Sequence, residues 1–320
     1  MKLLWRGLLG ASILAIVLHR TGRAPFVTGV SALDAQTLLL GAALAAVTTG
    51  ACAWRWHLVA AELGVAIRPR TAMAACYGSQ FLNTVLPGGV LGDVHRGLMH
   101  GRSARATGPA LRAVGWERFA GQVVQAVVAV VVLLVLPSPV PPLVPGAAVV
   151  LALAVALVAG RVSGTGSSRW HRVVRVIRHD VRFALLGRRS WPGIVAASVV
   201  AVTGHVAMYV LAVRAVGITA PLSTVLPLAV LVLVAAGLPL NLAGWGPREG
   251  MAAWAFATAG LGAGPGVAAA VAFGAMGFVS TLPGLVVLLA VRDRYMEPHA
   301  VAGRSPVQRR EVIAGGASRA

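Results

Sequence analysis

Long apolar runs bordered by arginine constrain the fold of this chain more than any other feature of its sequence. Hydrophobic residues make up 58% of the 320 residues, and charged residues only 12%. A soluble core cannot absorb so much apolar surface, whereas a membrane-spanning helix needs about 20 mainly apolar residues. The sequence therefore predicts an all-α membrane protein, a polytopic helical bundle of about 8 transmembrane segments.

The formal net charge of +19 comes almost entirely from arginine, since Lys2 is the single lysine. These arginines flank the apolar runs, where they orient helices and attract anionic lipid. Nucleic-acid binding shares this charge signature, but the sequence holds no recognisable nucleic-acid-binding module, so we expect no nucleic-acid partner. Cys52 and Cys76 lie in apolar segments without ligand spacing. We interpret them as small apolar fillers and expect no disulfide framework and no metal site.

A stretch at residues 81–96 interrupts one apolar segment with helix breakers and polar side chains. The breakers and polar residues are Pro87, Gly88 and Gly92, with Asn83, Asp93 and Arg96. Non-helical backbone at membrane depth is tolerated only where it is buried in protein or lines a wet cavity. Ionisable residues there are candidates for function. The alternative is a turn between two ordinary helices whose charges lie among the lipid headgroups.

A second stretch, residues 238–250, repeats this character in the other half of the chain. Its breakers and polar residues are Pro239, Gly244 and Gly246, with Asn241, Arg248 and Glu249. A pair of interrupted hydrophobic segments in corresponding halves points to the binding site of a transporter. We therefore expect Gly/Pro-broken or re-entrant helices in two halves, whose broken motifs meet around one headgroup-sized cavity.

An earlier apolar span covers about residues 37–54. Trp54 and Trp56 at its end resemble an interfacial aromatic belt, and Arg55 is expected in the cytoplasmic loop that follows.

The apolar segment 71–91 has arginines on both sides, which conflicts with a simple crossing. Arg68 and Arg70 precede it, and Arg96, Arg102 and Arg105 follow it. Because arginine-rich flanks favour the cytoplasm, the pattern predicts a re-entrant hairpin with its tip near residues 87–89. The cavity would then open to the cytoplasmic side. A plain crossing with a basic outer loop is the alternative.

The next apolar segment, residues 116–136, begins with Glu117 and Arg118. Arg118, Gln122 and Gln125 are spaced i, i+4 and i+7, so they share one helix face. Lipid contact would penalise that face, which predicts that it looks into the protein. The alternative is that Glu117 and Arg118 only mark the membrane interface.

A span over about residues 146–160 is expected to return the chain to the cytoplasmic side. Residues 161–190 then form the largest polar break and separate the two halves. Apolar residues there repeat at helical spacing while arginines fall on the opposite side, which predicts a basic amphipathic helix on the cytoplasmic surface. We expect a membrane domain over residues 1–291 and a disordered basic tail over 292–320. Both termini are expected in the cytoplasm of a multi-pass cell-membrane protein, with the first apolar helix retained.

Enzyme motifs are absent from the sequence. There is no His-Glu-x-x-His, no Gly-x-x-x-x-Gly-Lys-Ser/Thr and no Gly-x-Ser-x-Gly. The glycines at Gly89 and Gly92 miss the spacing of an intramembrane aspartyl protease by one residue. We therefore expect neither enzymatic activity nor a cofactor.

The remaining charges suit a phosphate-bearing headgroup, because the planar fork of arginine gives two parallel hydrogen bonds to phosphate oxygens. Acidic neighbours would hold the arginines when no lipid is bound. The candidate substrate-binding residues are Asn83, Asp93, Arg96, Glu117, Arg118, Asn241, Arg248 and Glu249.

At these residues the sequence resembles the flippase-like transmembrane domain of lysylphosphatidylglycerol synthases. The matching letters are Phe81-Leu-Asn83, Leu86-Pro87-Gly88, Gly92-Asp93, Arg96, Glu117-Arg118, Pro239, and Gly244-x-Gly246-x-x-Glu249-Gly250. The resemblance implies movement of an anionic, aminoacylated or polyprenyl-linked lipid between leaflets. It does not imply the synthase reaction, since no counterpart of the soluble synthase domain follows residue 291.

Two other functions fit the same residues. An arginine-lined cavity would also suit a permease for a small anion, although a lipid path needs a lateral opening between helices. Alternatively, the chain could be a non-transporting membrane partner that anchors a glycosyltransferase or lipid synthase through the basic segment.

Overall fold

The computed structural model describes residues 2–86, 89–143, 146, 169–238 and 245–290, and within these ranges the protein is built from helices without a β-strand. The helices are α1 (Lys2–Thr21), α2 (Ala24–Ser31), α3 (Ala35–Glu62), α4 (Pro69–Val85), α5 (Leu91–Ser103), α6 (Thr107–Val135), α7 (Arg169–Asp180), α8 (Trp191–Ala215), α9 (Leu222–Ala236), α10 (Pro247–Thr258) and α11 (Ala263–Ala290). A π-helical turn, Val181–Leu185, continues α7. The predicted all-α class is confirmed.

Four helices, α3, α6, α8 and α11, are long and apolar enough to cross a membrane. The shortest has 25 residues, and at about 1.5 Å per residue it exceeds the roughly 30 Å hydrocarbon core. The apolar part of α1 and the whole of α9 are shorter. Most of the predicted span 146–160 and the tail 292–320 lie outside the described residues, so the total of about eight crossings remains a prediction.

Two large buried apolar clusters, beside smaller ones, join the described helices. One joins α8 to α9, α10 and α11 through side chains such as Tyr209, Leu228 and Phe256. The other joins α3, α4 and α6 around Trp56 and Ala72. Helices α3 and α8 pack along each other and connect the two clusters. Between helices in a bilayer such clusters stabilise the fold by close van der Waals packing, because lipid tails are as apolar as the side chains themselves.

Helices α4 and α5 form an antiparallel hairpin around the first broken motif. The start of α5 lies against the end of α4, where the Gly92 N–H donates to Asn83 Oδ1 over 2.8 Å. One turn later, Arg96 contacts Cys76. Glycine is required at position 92, because a Cβ there would lie 2.0 Å from the Ser79 carbonyl oxygen. The two helices that flank the first break are therefore antiparallel neighbours. That they enter and leave the membrane on one face stays a prediction, and Pro87 and Gly88 lie outside the described residues.

The second break separates α9 from α10. Helix α9 ends at Ala236 and α10 begins at Pro247, with Pro239, Asn241 and Gly244 outside the described residues. Gly246 precedes α10 with a φ of 127°, a conformation that side-chain-bearing residues rarely adopt. The glycine thus sets the direction in which α10 leaves the break.

The basic amphipathic segment is helical from Arg169 to Leu185 and is anchored at one end by Asp180. This buried carboxylate accepts hydrogen bonds from Arg112 Nε at 2.7 Å and Trp116 Nε1 at 2.9 Å, both on α6. Val173 and Ile177 are exposed. The helix therefore leaves apolar side chains uncovered, as a surface helix facing lipid would.

Candidate functional site

Glu117 of α6 lies at the centre of a charged cluster and is almost completely buried. Its carboxylate accepts a hydrogen bond from Arg55 Nε of α3 at 3.0 Å and from Arg96 Nη2 of α5 at 2.7 Å. Arg55 also donates to Ser198 Oγ of α8 at 3.1 Å. One carboxylate thus connects three helices through charge-assisted hydrogen bonds, the stronger class of such bonds.

Asp93 is the second carboxylate of the cluster, and four side chains donate to it. Ser79 Oγ and Arg96 Nε each lie 3.0 Å from Oδ1, and Asn83 Nδ2 lies 2.9 Å from Oδ2. Arg118 forms an ion pair with Oδ2. These contacts fill the acceptor sites of a carboxylate, which number about four.

Each of the three guanidinium nitrogens of Arg96 has a hydrogen-bond partner. Beyond its two carboxylate partners, its Nη1 donates to Cys76 Sγ at 3.3 Å, and its guanidinium lies 4.7 Å from the ring centroid of Trp56. Cys76 is buried in the apolar cluster around Trp56, as expected of a small filler, and its sulfur also accepts a hydrogen bond from a buried cation.

A second cluster lies at the start of α10. Glu249 is fully buried, accepts the Gly246 N–H at 2.7 Å and accepts Arg248 Nε at 2.9 Å. Its carboxylate therefore caps the helix and also holds the arginine. Arg248 lies 5.7 Å from the ring centroids of Trp245 and Phe273, which cover its faces.

One cavity of about 400 Å³ brings the two broken motifs together. This volume falls within the usual range for small-ligand pockets. Its lining includes Asn83, Asp93, Arg96, Glu117, Arg118, Gln122, Gln125 and Arg248. Glu249 lies behind Arg248, and Asn241 is outside the described residues. The structure thus places residues of both broken motifs and of the polar face of α6 around one space.

The predicted polar face of α6 lines this cavity, since Arg118, Gln122 and Gln125 all contribute to it. Glu117 is 1% exposed. The alternative in which Glu117 only marks the membrane interface is therefore wrong.

The sequence pattern did not identify Arg55 and Trp56 as site residues. It placed Trp56 in an interfacial aromatic belt, and Arg55 in a cytoplasmic loop after a span ending near residue 54. Helix α3 continues to Glu62, and both residues are buried. A signal was present, because Thr48, Cys52 and Arg55 share the same i, i+4, i+7 spacing and line the cavity. Trp54 is exposed, and its place in an interfacial belt stays a prediction.

His205 of α8 also lines the cavity. Its Nδ1 bonds to the Ala201 carbonyl oxygen at 2.7 Å, so this ring nitrogen has a partner within its own helix. Its position beside the charged clusters could not be read from its isolated place in an apolar span.

A protein-family model described as the lysylphosphatidylglycerol synthase TM region matches residues 3–284. The matched range contains both broken motifs and all the charged side chains of the cavity. No curated protein and no solved structure matched the chain.

Proposed function

The chain belongs to the lysylphosphatidylglycerol synthase transmembrane-region family, and from this we propose that it moves an anionic, aminoacylated or polyprenyl-linked lipid between membrane leaflets. One observation carries the proposal. Arginine–carboxylate clusters from both broken motifs line a single cavity among helices of membrane-spanning length. Ionisable groups within membrane-spanning segments are rare, and they typically mark a substrate or ion pathway.

The clusters suit a carrier because their arginines already have internal partners. An unpaired charge in a low-dielectric interior costs several kcal/mol, so the carboxylates hold the arginines when no lipid is bound. A headgroup phosphate replaces a carboxylate as the partner of an arginine. Such an exchange is close to neutral in free energy, which allows the lipid to leave as readily as it enters. We propose a carrier, not an enzyme, and one that needs no cofactor.

The proposed setting is the cell membrane, with both termini in the cytoplasm and the cavity open to the cytoplasmic side. Helix α7 would then lie on the anionic leaflet surface. Its uncovered side chains also make it the proposed contact for a glycosyltransferase or lipid synthase.

The proposal is tested by reconstituting the protein into phosphatidylcholine vesicles that carry trace acyl-labelled fluorescent phosphatidylglycerol. Dithionite destroys the label in the outer leaflet, so transport is seen as loss of the protected inner-leaflet fluorescence. We expect this loss with the natural protein and not in protein-free vesicles. Arg248→Ala should slow the loss of fluorescence. Arg214→Ala should not, because Arg214 is exposed and bonds to the Ile218 carbonyl oxygen.

A permease for a small anion is the second candidate, favoured by the modest size of the cavity. Vesicles loaded with inorganic phosphate separate the two. Phosphate release without lipid movement would support the permease. If neither lipid nor phosphate moves, the result would favour a non-transporting membrane partner of a glycosyltransferase or lipid synthase.

A further inference from the structure

The charges around the cavity do not balance. The two clusters contain four arginines, Arg55, Arg96, Arg118 and Arg248, but three carboxylates, Asp93, Glu117 and Glu249. The group therefore carries one positive charge in excess. A bound anion would neutralise it, whereas a cation would add to it.

All three carboxylates are already occupied. Asp93 accepts from four side chains. Glu117 is held between two arginines. Glu249 is held by Arg248 and a backbone N–H. Glu117 and Glu249 are at most 1% exposed. An ammonium group entering the cavity would thus find no open carboxylate among the described lining residues.

Arg118 differs from the other three arginines in exposure and in pairing. Its side chain is 41% exposed, compared with 5% for Arg96, 7% for Arg55 and 12% for Arg248. Its carboxylate partner, Asp93, also pairs with Arg96. If Arg118 turned away, Asp93 would keep Arg96, Ser79 and Asn83. Arg118 can therefore leave its carboxylate without creating an unpaired buried charge.

From this geometry we infer that the cavity selects a phosphate-bearing lipid headgroup that has no ammonium group, and that Arg118 is the side chain that binds its phosphate. This inference rests on the proposed function, and it chooses among the lipids proposed there. Phosphatidylglycerol and polyprenyl phosphates fit the site. Lysyl- and ethanolamine-bearing headgroups do not, because their ammonium would meet excess positive charge and saturated carboxylates.

The inference is tested by lipid binding to the purified full-length protein in detergent, independently of transport. Short-chain phosphatidylglycerol, its lysyl ester, phosphatidylethanolamine and inorganic phosphate are titrated separately and followed by thermophoresis. We expect phosphatidylglycerol to bind at least about tenfold more tightly than the lysyl ester. Arg118→Gln should weaken phosphatidylglycerol binding roughly ten- to a hundredfold, as expected for one charge-assisted hydrogen bond.

Arg118→Lys should keep the preference for anionic lipid with only part of the affinity, because lysine restores the charge without the fork. Arg214→Gln, which removes one arginine charge outside the lining of this cavity, should bind like the natural protein. Unchanged elution volume and melting temperature of Arg118→Gln would show that it is folded.

Equal binding of the lysyl ester would overturn the inference, as would unaltered affinity in Arg118→Gln. Binding of inorganic phosphate but not of phosphatidylglycerol would also overturn it, by making the free anion the ligand. Selective, Arg118-dependent binding without leaflet transfer would uphold the selectivity and reject the proposed translocation. Transfer of all headgroups at one rate, with unselective binding, would support the proposed translocation and reject the selectivity.

Discussion

Arg96 and Glu117 form an ion pair from which solvent is excluded. Arg96 Nη2 lies 2.7 Å from Glu117 Oε2, and the two side chains are 5% and 2% exposed. Because Arg96 lies on α5 and Glu117 on α6, the pair fixes the hairpin against a membrane-length helix. The charges proposed to bind lipid therefore also hold the fold together, and a useful variant must separate the two roles.

Removing Arg96 should destabilise the protein much more than removing Arg118. Arg96→Met leaves Glu117 and Asp93 short of a buried partner, which typically costs about 3–5 kcal/mol. Arg118→Met removes a half-exposed pair, typically worth about 1 kcal/mol or less. Melting temperatures of the purified variants in detergent should rank in that order. Equal shifts would show that the two arginines are equally structural.

Close packing of α11 on α4 should make Gly284 intolerant of a side chain. A Cβ at this position would lie 2.1 Å from the Tyr77 carbonyl oxygen, so Gly284→Ala must push the helices apart. We expect a loss of about 1–3 kcal/mol, typical of overpacking, measured as a lower melting temperature. The matched control is Gly115→Ala in α6, where a Cβ meets nothing within 4 Å. It should be neutral or stabilising, since alanine favours helix. An intact melting temperature for Gly284→Ala would contradict this packing.

Asp180 should hold the amphipathic helix in place. Asp180→Asn keeps the size of the side chain but removes the negative charge that accepts hydrogen bonds from Arg112 and Trp116. We expect faster hydrogen exchange in residues 181–190, measured by mass spectrometry on the full-length protein. Arg182→Gln, at an exposed position in the adjoining π-helical turn, is the control and should leave exchange there unchanged. Equal exchange in the Asp180→Asn and natural proteins would mean that other contacts hold this segment.

The hairpin predicts that Arg70 and Arg102 lie on the same side of the membrane. Single cysteines at these exposed positions, in a background with Cys52 and Cys76 changed to serine, should both react with an impermeant thiol reagent from the same side. Position Ser138 is the control. Helix α6 has 29 residues, about 43 Å at 1.5 Å per residue, so its far end should label from the opposite side. Opposite labelling of positions 70 and 102 would mean that residues 71–91 cross the membrane.

The sequence by itself determined the membrane class, the helical elements and the two breaks. These properties are local. Apolar runs of sufficient length make helices that lipid can surround. Clusters of Pro and Gly mark the two breaks, whereas the isolated Pro227 and Pro283 lie inside helices. The i, i+4, i+7 spacing of Arg118, Gln122 and Gln125 likewise identified a polar face before any packing was known. The same rule, applied to Thr48, Cys52 and Arg55, would have found the missed arginine.

Only the tertiary structure decided which charges are paired. Arg55 meets Glu117 across 62 residues of sequence, and Arg112 meets Asp180 across 68. The sequence placed Arg55 in a cytoplasmic loop, because arginines that follow an apolar run favour the cytoplasmic side. Its burial depends on α3 packing beside α6 and α8, which no short stretch specifies. Ion pairing depends on distance and dielectric, and both are set by helices that meet only when the chain is folded.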